Sequence, residues 1–264
     1  MRNIISYLKD IYKARYFWFY LAKSDIRFKY RRSKLGGLWA IVQPLGLTII
    51  LAVVFSTVFK EPLGNYAVYI LSGLIGWNLL NASIINGGQC FISATQYIRQ
   101  YNHPKIIYSL KSSFVYIYTF LMELIGLGIW CLFLEPYNIL IGLLTLPLTL
   151  LLLFLINWAL TTIAAYINAQ YYDYPQMVGL IMQAVYYVSP VFLKEEIFMS
   201  NEALKYVYIY NPITHILNLI RKPFIKGQFP DLMDYGYVLI VIVFLFICTH
   251  YINKKYEKKI IFYL

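Results

Sequence analysis

Leu38–Phe59 reads LWAIVQPLGLTIILAVVFSTVF and contains no charged residue. As a helix it is long enough to cross the hydrocarbon core of a bilayer, which takes about 20 residues at 1.5 Å each. Similar runs at Tyr66–Asn86, Ser113–Leu134, Ile139–Ile167, Met177–Leu193 and Tyr237–Tyr251 predict six spans, the fifth being the shortest. In lipid every backbone N–H and C=O must find its partner inside the protein, which leaves the α-helix as the spanning element for such runs. The expected fold class is therefore all-α, a polytopic membrane protein. Composition agrees: 60% of the 264 residues are hydrophobic and 13% charged, against roughly 25% charged in soluble domains.

The net charge of +11 raises nucleic acid as a partner, so the positions of the 23 basic residues matter. Ten precede Leu35, and Lys254, Lys255, Lys258 and Lys259 follow the last apolar run. Basic segments flanking spans are held against an anionic membrane face, and no nucleic-acid role is expected. With both termini inside, inner segments carry 17 basic residues and outer segments 6, so the positive-inside rule predicts cytoplasmic termini. Residues 1–34 read as a cytoplasmic amphipathic interface segment and 35–264 as the transmembrane domain. The first apolar run begins too late for a cleaved signal peptide, so the first span is expected to remain in the mature protein. Cys90, Cys131 and Cys248 have no C-x-x-C spacing and read as small apolar fillers.

Between the fifth and sixth spans, Lys194–Gly236 mixes charges with apolar pieces, Tyr206–Ile209 and Ile213–Ile220, that are too short to cross. Short re-entrant or interfacial helices are expected there. No G-x-x-x-x-G-K-[ST] segment occurs, so any ATP-driven process would need its nucleotide site on another chain.

Three segments carry local signals. Asp25–Arg32, DIRFKYRR, leads into Ser33–Pro44, SKLGGLWAIVQP: the basic run faces headgroups, Gly36-Gly37 turns the chain and Trp39 anchors the span. Tyr97–Lys111 reads YIRQYNHPKIIYSLK, and Asn211–Arg221 reads NPITHILNLIR. In this order they resemble the membrane subunits of type-2 ABC exporters of polysaccharide, the family that exports O-antigen, capsule and teichoic acid. Gly37 is a departure, since many members have proline there.

The resemblance implies a homodimer that lines a channel in the bacterial cytoplasmic (inner) membrane and passes a lipid-linked glycan. Two copies of a separate cytoplasmic ATPase would use ATP and Mg, and this chain itself would bind no cofactor or metal and carry no catalytic residue. It also implies an amphipathic interface helix at about Ile5–Phe28. A coupling helix at about Asn102–Leu110, within the cytoplasmic loop 97–111, would present Asn102, His103, Pro104 and Lys105 to the ATPase. Residues 194–236 would form an outer gate that turns at Asn211 and Pro212. A drug or small-molecule exporter of the same type would share this fold. A membrane-embedded glycosyl or acyl transferase would need paired acids or intramembrane histidines, whereas His103, His215 and His250 are dispersed.

Polar residues inside spans must find partners or face water. At 100° per residue Asn78, Asn81, Gln89 and Gln96 fall within about 80° of one another. Gln176, Gly179, Gln183 and Tyr187 share a stripe with Tyr186 beside it, and Trp39, Gln43 and Gly46 share a face. These uncharged amide and aromatic stripes suit a sliding sugar chain, which offers hydroxyls to amides and C–H faces to rings. Hydrogen bonding between helices is the competing use of such amides. Glu123 is the only acid well inside a span, and it reads as a helix-packing or gating contact.

Overall fold

The computed structural model describes residues 4–134 and 136–264. Residues 1–3 of the expected interface segment, and Glu135, lie outside the described residues. In chain order the helices are α1 (Ile4–Lys13), α2 (Arg15–Tyr30), α3 (Trp39–Phe59), α4 (Leu63–Asn81), α5 (Cys90–Ser93), α6 (Thr95–Gln100), α7 (Ile106–Leu134), α8 (Pro136–Gln170), α9 (Tyr174–Val188), α10 (Glu195–Met199), α11 (Glu202–Tyr210), α12 (Pro212–Arg221) and α13 (Leu232–Tyr256). A 3₁₀ turn, Gly36–Leu38, opens α3, and π turns at Ala82–Asn86 and Lys222–Lys226 follow α4 and α12. The chain is a multi-pass helical membrane protein.

Five helical segments are long and apolar enough to cross a membrane: Gly36–Phe59, Leu63–Asn86, Ile106–Phe133, Ile139–Gln170 and Leu232–Tyr256. The sixth expected span, Met177–Leu193, is shorter than that. Its helix α9 has 15 residues, about 22 Å against a hydrocarbon core of about 30 Å. It stops because Ser189 precedes a proline and takes an extended conformation, ψ 152°. The non-helical continuation nevertheless carries the chain onward along α4. Tyr174 donates to the Ile84 carbonyl (3.0 Å) and Tyr66 to the Phe192 carbonyl (2.8 Å), two levels about 27 Å apart on a helix.

Helices also begin earlier than the apolar runs. α7 starts at Ile106 rather than Ser113 because its polar residues are satisfied within it: the Ser113 hydroxyl donates to the Ser109 carbonyl (2.8 Å) and Lys111 pairs with Asp25 at 2.5 Å. α13 starts at Leu232 because Asp231 and Asp234 form a reciprocal capping box. Gly36 takes φ +54°, and Ser33 Oγ accepts its amide proton (3.2 Å), so the expected turn before α3 is a left-handed glycine turn.

A central core joins α4, α7, α8, α12 and α13 through Ile75, Leu127, Ile156, Leu219 and Val238. A second cluster joins α1, α5, α6, α7, α8 and the C-terminal turn, with Phe91, Ile98, Tyr166 and Ile260 at its centre. A third places Ala52 of α3 and Met182 of α9 with Ile70 and Trp77 of α4. Tyr7 donates to Glu257 at 2.8 Å, so α1 and the end of α13 lie at one end of the bundle. α3 buries only a small-residue stripe, Ala40, Pro44, Thr48, Ala52 and Ser56. Its other sides, like the Leu239–Ile247 face of α13, expose branched apolar residues, as expected where lipid is the solvent. Between spans, the buried Asn157 of α8 donates to the Ser113 carbonyl (2.9 Å) and accepts from Ser83 (2.7 Å), tying α7, α8 and the π turn after α4. Cys90 and Cys131 are buried thiols, and Cys248 is a half-buried one.

Candidate functional site

The residues expected to be functional fall into three layers. At the end of the bundle that holds both terminal helices, the coupling segment differs from expectation. Asn102–Leu110 is not a separate helix. Residues 101–104 are extended, and the next helix is the start of α7, while the short helix of this loop is α6, Thr95–Gln100. Asn102 is exposed and His103 half-buried, its ring 5.2 Å from Phe17 of α2 and 6.0 Å from Tyr101. Pro104 and Lys105 are buried. The Lys105 ammonium donates to the Ile98 carbonyl (3.4 Å) and its backbone amide to Glu257 (3.3 Å). Burial lowers the Lys105 ammonium below its ordinary pKa, with Glu257 opposing. α2 is pinned beside this loop by Asp25–Lys111 and by Trp18 stacked on Phe114 at 5.1 Å. Its outer face presents Tyr16, Phe19, Tyr20 and Phe28.

In the middle layer the amide stripe of the second span does not survive. The π turn at Ala82–Asn86 adds a residue to the helical turn and advances everything after it by about 100°, and the helix breaks again before Cys90 and at Ala94. Asn78 is half-buried and donates to both oxygens of Glu123 (3.3 and 3.4 Å), so the one intramembrane acid has an amide partner on the neighbouring helix. Asn81 is half-buried and Gln89 exposed. On α9, Gln176, Gln183 and Tyr187 all lie on the exposed side of one unbroken helix, while Tyr186 packs against Trp77 at 5.2 Å. On α3, Trp39 and Gln43 are exposed opposite the buried small-residue stripe. A groove of about 450 Å³ between α3 and α7 is lined by apolar residues such as Ile41, Leu45, Ile129 and Trp130 and includes none of these amides.

The far layer is built on α12. Asn211 caps it by accepting the Ile213 amide proton (2.9 Å) and donates to Ser189 Oγ (3.0 Å), with Pro212 at the first helical position, where the missing N–H costs nothing. Arg221 is buried. Its guanidinium donates to the carbonyls of Pro190, Val191 (2.6 Å) and Tyr69 (3.3 Å) and to Ser72 Oγ (3.4 Å), and lies 3.8 Å from the Tyr69 ring centre. It thus fastens α12 to α4 and to the turn after α9. On the opposite side of α12, His215 Nδ1 is 2.8 Å from Asp234 and Nε2 is 2.9 Å from the Ile209 carbonyl, with the ring stacked on Tyr237 at 4.1 Å. Asn218 and Lys222 also donate to Asp234. Burial would lower the imidazole pKa, but the two acceptors outweigh it and hold His215 above its ordinary value. A Lys194–Glu61 ion pair ties the chain after α9 to the α3–α4 hairpin.

Arg221, the His215–Asp234 pair and the Tyr7–Glu257 contact were not among the expected site residues. A signal for the pair was present: His215, Asn218 and Lys222 recur at i, i+3 and i+7 on an otherwise apolar helix.

These layers define a class: a multi-pass helical membrane protein whose conspicuous groups are hydrogen-bonding, aromatic and helix-fastening. No protein-family model matches the chain. Curated relatives match nearly all of it. An O-antigen export system permease protein RfbA of Klebsiella pneumoniae is 24% identical over 258 residues, 94% of this chain and 92% of the relative. One of the same name from Myxococcus xanthus is 19% identical, covering 86% and 87%. The polysialic acid transport protein KpsM of Escherichia coli is 24% identical, covering 84% and 87%. The resemblance drawn from the three sequence segments and the end-to-end similarity agree: the chain resembles ABC export permeases for polysaccharide.

Proposed function

We propose that this chain is the membrane-spanning permease subunit of a type-2 ABC exporter for O-antigen-type or capsular polysaccharide. The observation that carries the reading is similarity over 94% of the chain to an O-antigen export permease. Two copies form the channel, and a separate ATPase pair docks at the end that holds both terminal helices. That end is cytoplasmic, a placement supported by the 17-to-6 split of basic residues. Five long helices and the shorter α9 make six crossings.

Because the chain does no bond chemistry, its residues act by offering a path and by moving. The exposed faces of α9, with Gln176, Gln183 and Tyr187, and of α3, with Trp39 and Gln43, line that path. Amides bond sugar hydroxyls and rings stack on pyranose C–H faces, each contact weak enough for a polymer to slide. Asn78 and Asn81 lie beside it, with Asn78 engaged by Glu123. Asn102 and His103 meet the ATPase, while Pro104 and Lys105 anchor the loop from within. Asn211-Pro212 and the Arg221 fastening hold the outer gate.

The test is deletion of the gene in its host. Loss of surface glycan with intracellular build-up of lipid-linked glycan, both reversed by the wild-type copy, supports the reading. Unchanged surface glycan with altered drug susceptibility would replace it with a small-molecule exporter.

A further inference from the structure

The residues just after α13 make a connection that spans the whole sequence. Glu257 Oε1 accepts two hydrogen bonds, from the Tyr7 hydroxyl of α1 (2.8 Å) and from the backbone amide of Lys105 (3.3 Å). One turn earlier, Asn253 Oδ1 accepts from the Tyr166 hydroxyl of α8 (2.6 Å), while its Nδ2 donates back to Tyr7 (3.1 Å). Lys105 reaches on to α6 through the Ile98 carbonyl. Ile260, buried among Phe91, Ile98 and Ile106, holds the C-terminal turn in place.

The Lys105 contact is chemically specific. The first amides of a helix have no acceptor within it, and a carboxylate beside them is favoured by the helix dipole. Glu257 therefore acts as an N-terminal cap of α7, supplied from 152 residues away. The Tyr7 hydroxyl, pushed above its ordinary pKa by burial and by the neighbouring Glu257, stays protonated and donates. One side chain thus joins the loop 101–105 to α13, and through Tyr7 and Asn253 to α1 and α8.

We infer that Glu257 is a positioning residue for energy coupling: it holds the 101–105 loop against the end of α13, so that displacement of this loop is passed to α8 and α13. The inference rests on the reading of that loop as the ATPase-docking segment. A carboxylate is not needed for it, because a glutamine oxygen can accept the same two bonds.

The experiment compares wild type, Glu257→Ala and Glu257→Gln in the assembled complex with its ATPase. It measures ATP hydrolysis, glycan exported per ATP, and hydrogen exchange of the 101–108 amides in the purified permease. Glu257→Ala should keep hydrolysis within about twofold of wild type, lose at least tenfold in glycan exported per ATP, and exchange the Lys105 amide faster. Glu257→Gln should stay close to wild type in all three. Wild-type coupling in Glu257→Ala, or a Glu257→Gln defect equal to that of Glu257→Ala, would overturn the inference. Exchange in the wild-type permease decides independently, even if Glu257→Ala fails to assemble: a Lys105 amide exchanging as fast as that of Asn102 contradicts the cap. Failure of the transport reading is distinct, since it would appear as absent ATP-dependent export by the wild-type complex.

Discussion

Replacing Gly73 by alanine tests how tightly the outer layer is built. Gly73 lies within α4, where the turn after α9 and the Arg221 guanidinium press onto the helix, and a Cβ there would overlap both the Val191 carbonyl oxygen and Arg221 Nη2. The carbonyl is backbone and is held by Arg221 at 2.6 Å, so it cannot swing aside as a side-chain tip would. The turn must lift, straining the packing by about 1–3 kcal/mol and weakening a charge-assisted hydrogen bond of about 1.5–3 kcal/mol. The combined cost is roughly 3–5 kcal/mol. At about 2–4 °C per kcal/mol for a chain of this size, the thermal midpoint falls by roughly 6–20 °C. The control is Gly179→Ala on the open side of α9, where a Cβ would meet nothing within 4 Å and helix propensity gains up to about 1 kcal/mol. Tryptophan fluorescence melts of both variants in detergent make the comparison. A Gly73→Ala protein that melts within 2 °C (an order-of-magnitude margin, about 1 kcal/mol) of Gly179→Ala would refute the reasoning.

Three further outcomes are expected. His215 has a raised pKa in the fold, so its stabilisation is full below the ordinary histidine pKa of about 6.5 and is lost as pH rises through the raised value, at about 1.4 kcal/mol for each pH unit that separates the folded and unfolded values. Melting curves across that window should decline for wild type and stay flatter for His215→Gln. Glu123→Gln keeps the bond to Asn78 and removes a carboxylate that costs about 2.5–3.5 kcal/mol at a span centre, so it should melt no lower than wild type. Asn78→Ala, which strands the acid, should melt lower, and Glu123→Gln with normal export removes the charge from the mechanism. In the complex, the His103, Pro104 and Lys105 triple alanine variant should insert normally yet separate ATP hydrolysis from export, and unchanged export per ATP would show that the loop is not the docking segment.

The long spans were legible in the sequence because uninterrupted apolar runs such as Leu38–Phe59 and Ile139–Ile167 have few other uses. The α9 stripe was legible for the same reason, since no bulge interrupts that helix. The α4 stripe was not, because the sequence of Ala82–Asn86 does not announce the π turn that rotates Gln89 and Gln96 away from Asn78. Arg221 counted among the outer basic residues, and its burial depends on carbonyls exposed by a turn 30 residues away. The Tyr7–Glu257 contact joins positions 250 apart, and no local pattern encodes such a pair. Asp231 and Asp234 did carry a legible sign, an acid at each end of a four-residue box before an apolar run.

The most direct test of transport itself is reconstitution of this chain with its cognate ATPase in proteoliposomes loaded on the ATPase side with lipid-linked glycan. Appearance of glycan on the opposite face that requires ATP, and that is lost when the ATPase is hydrolysis-defective, is the predicted result. Robust ATP hydrolysis with no movement of glycan would contradict the assignment.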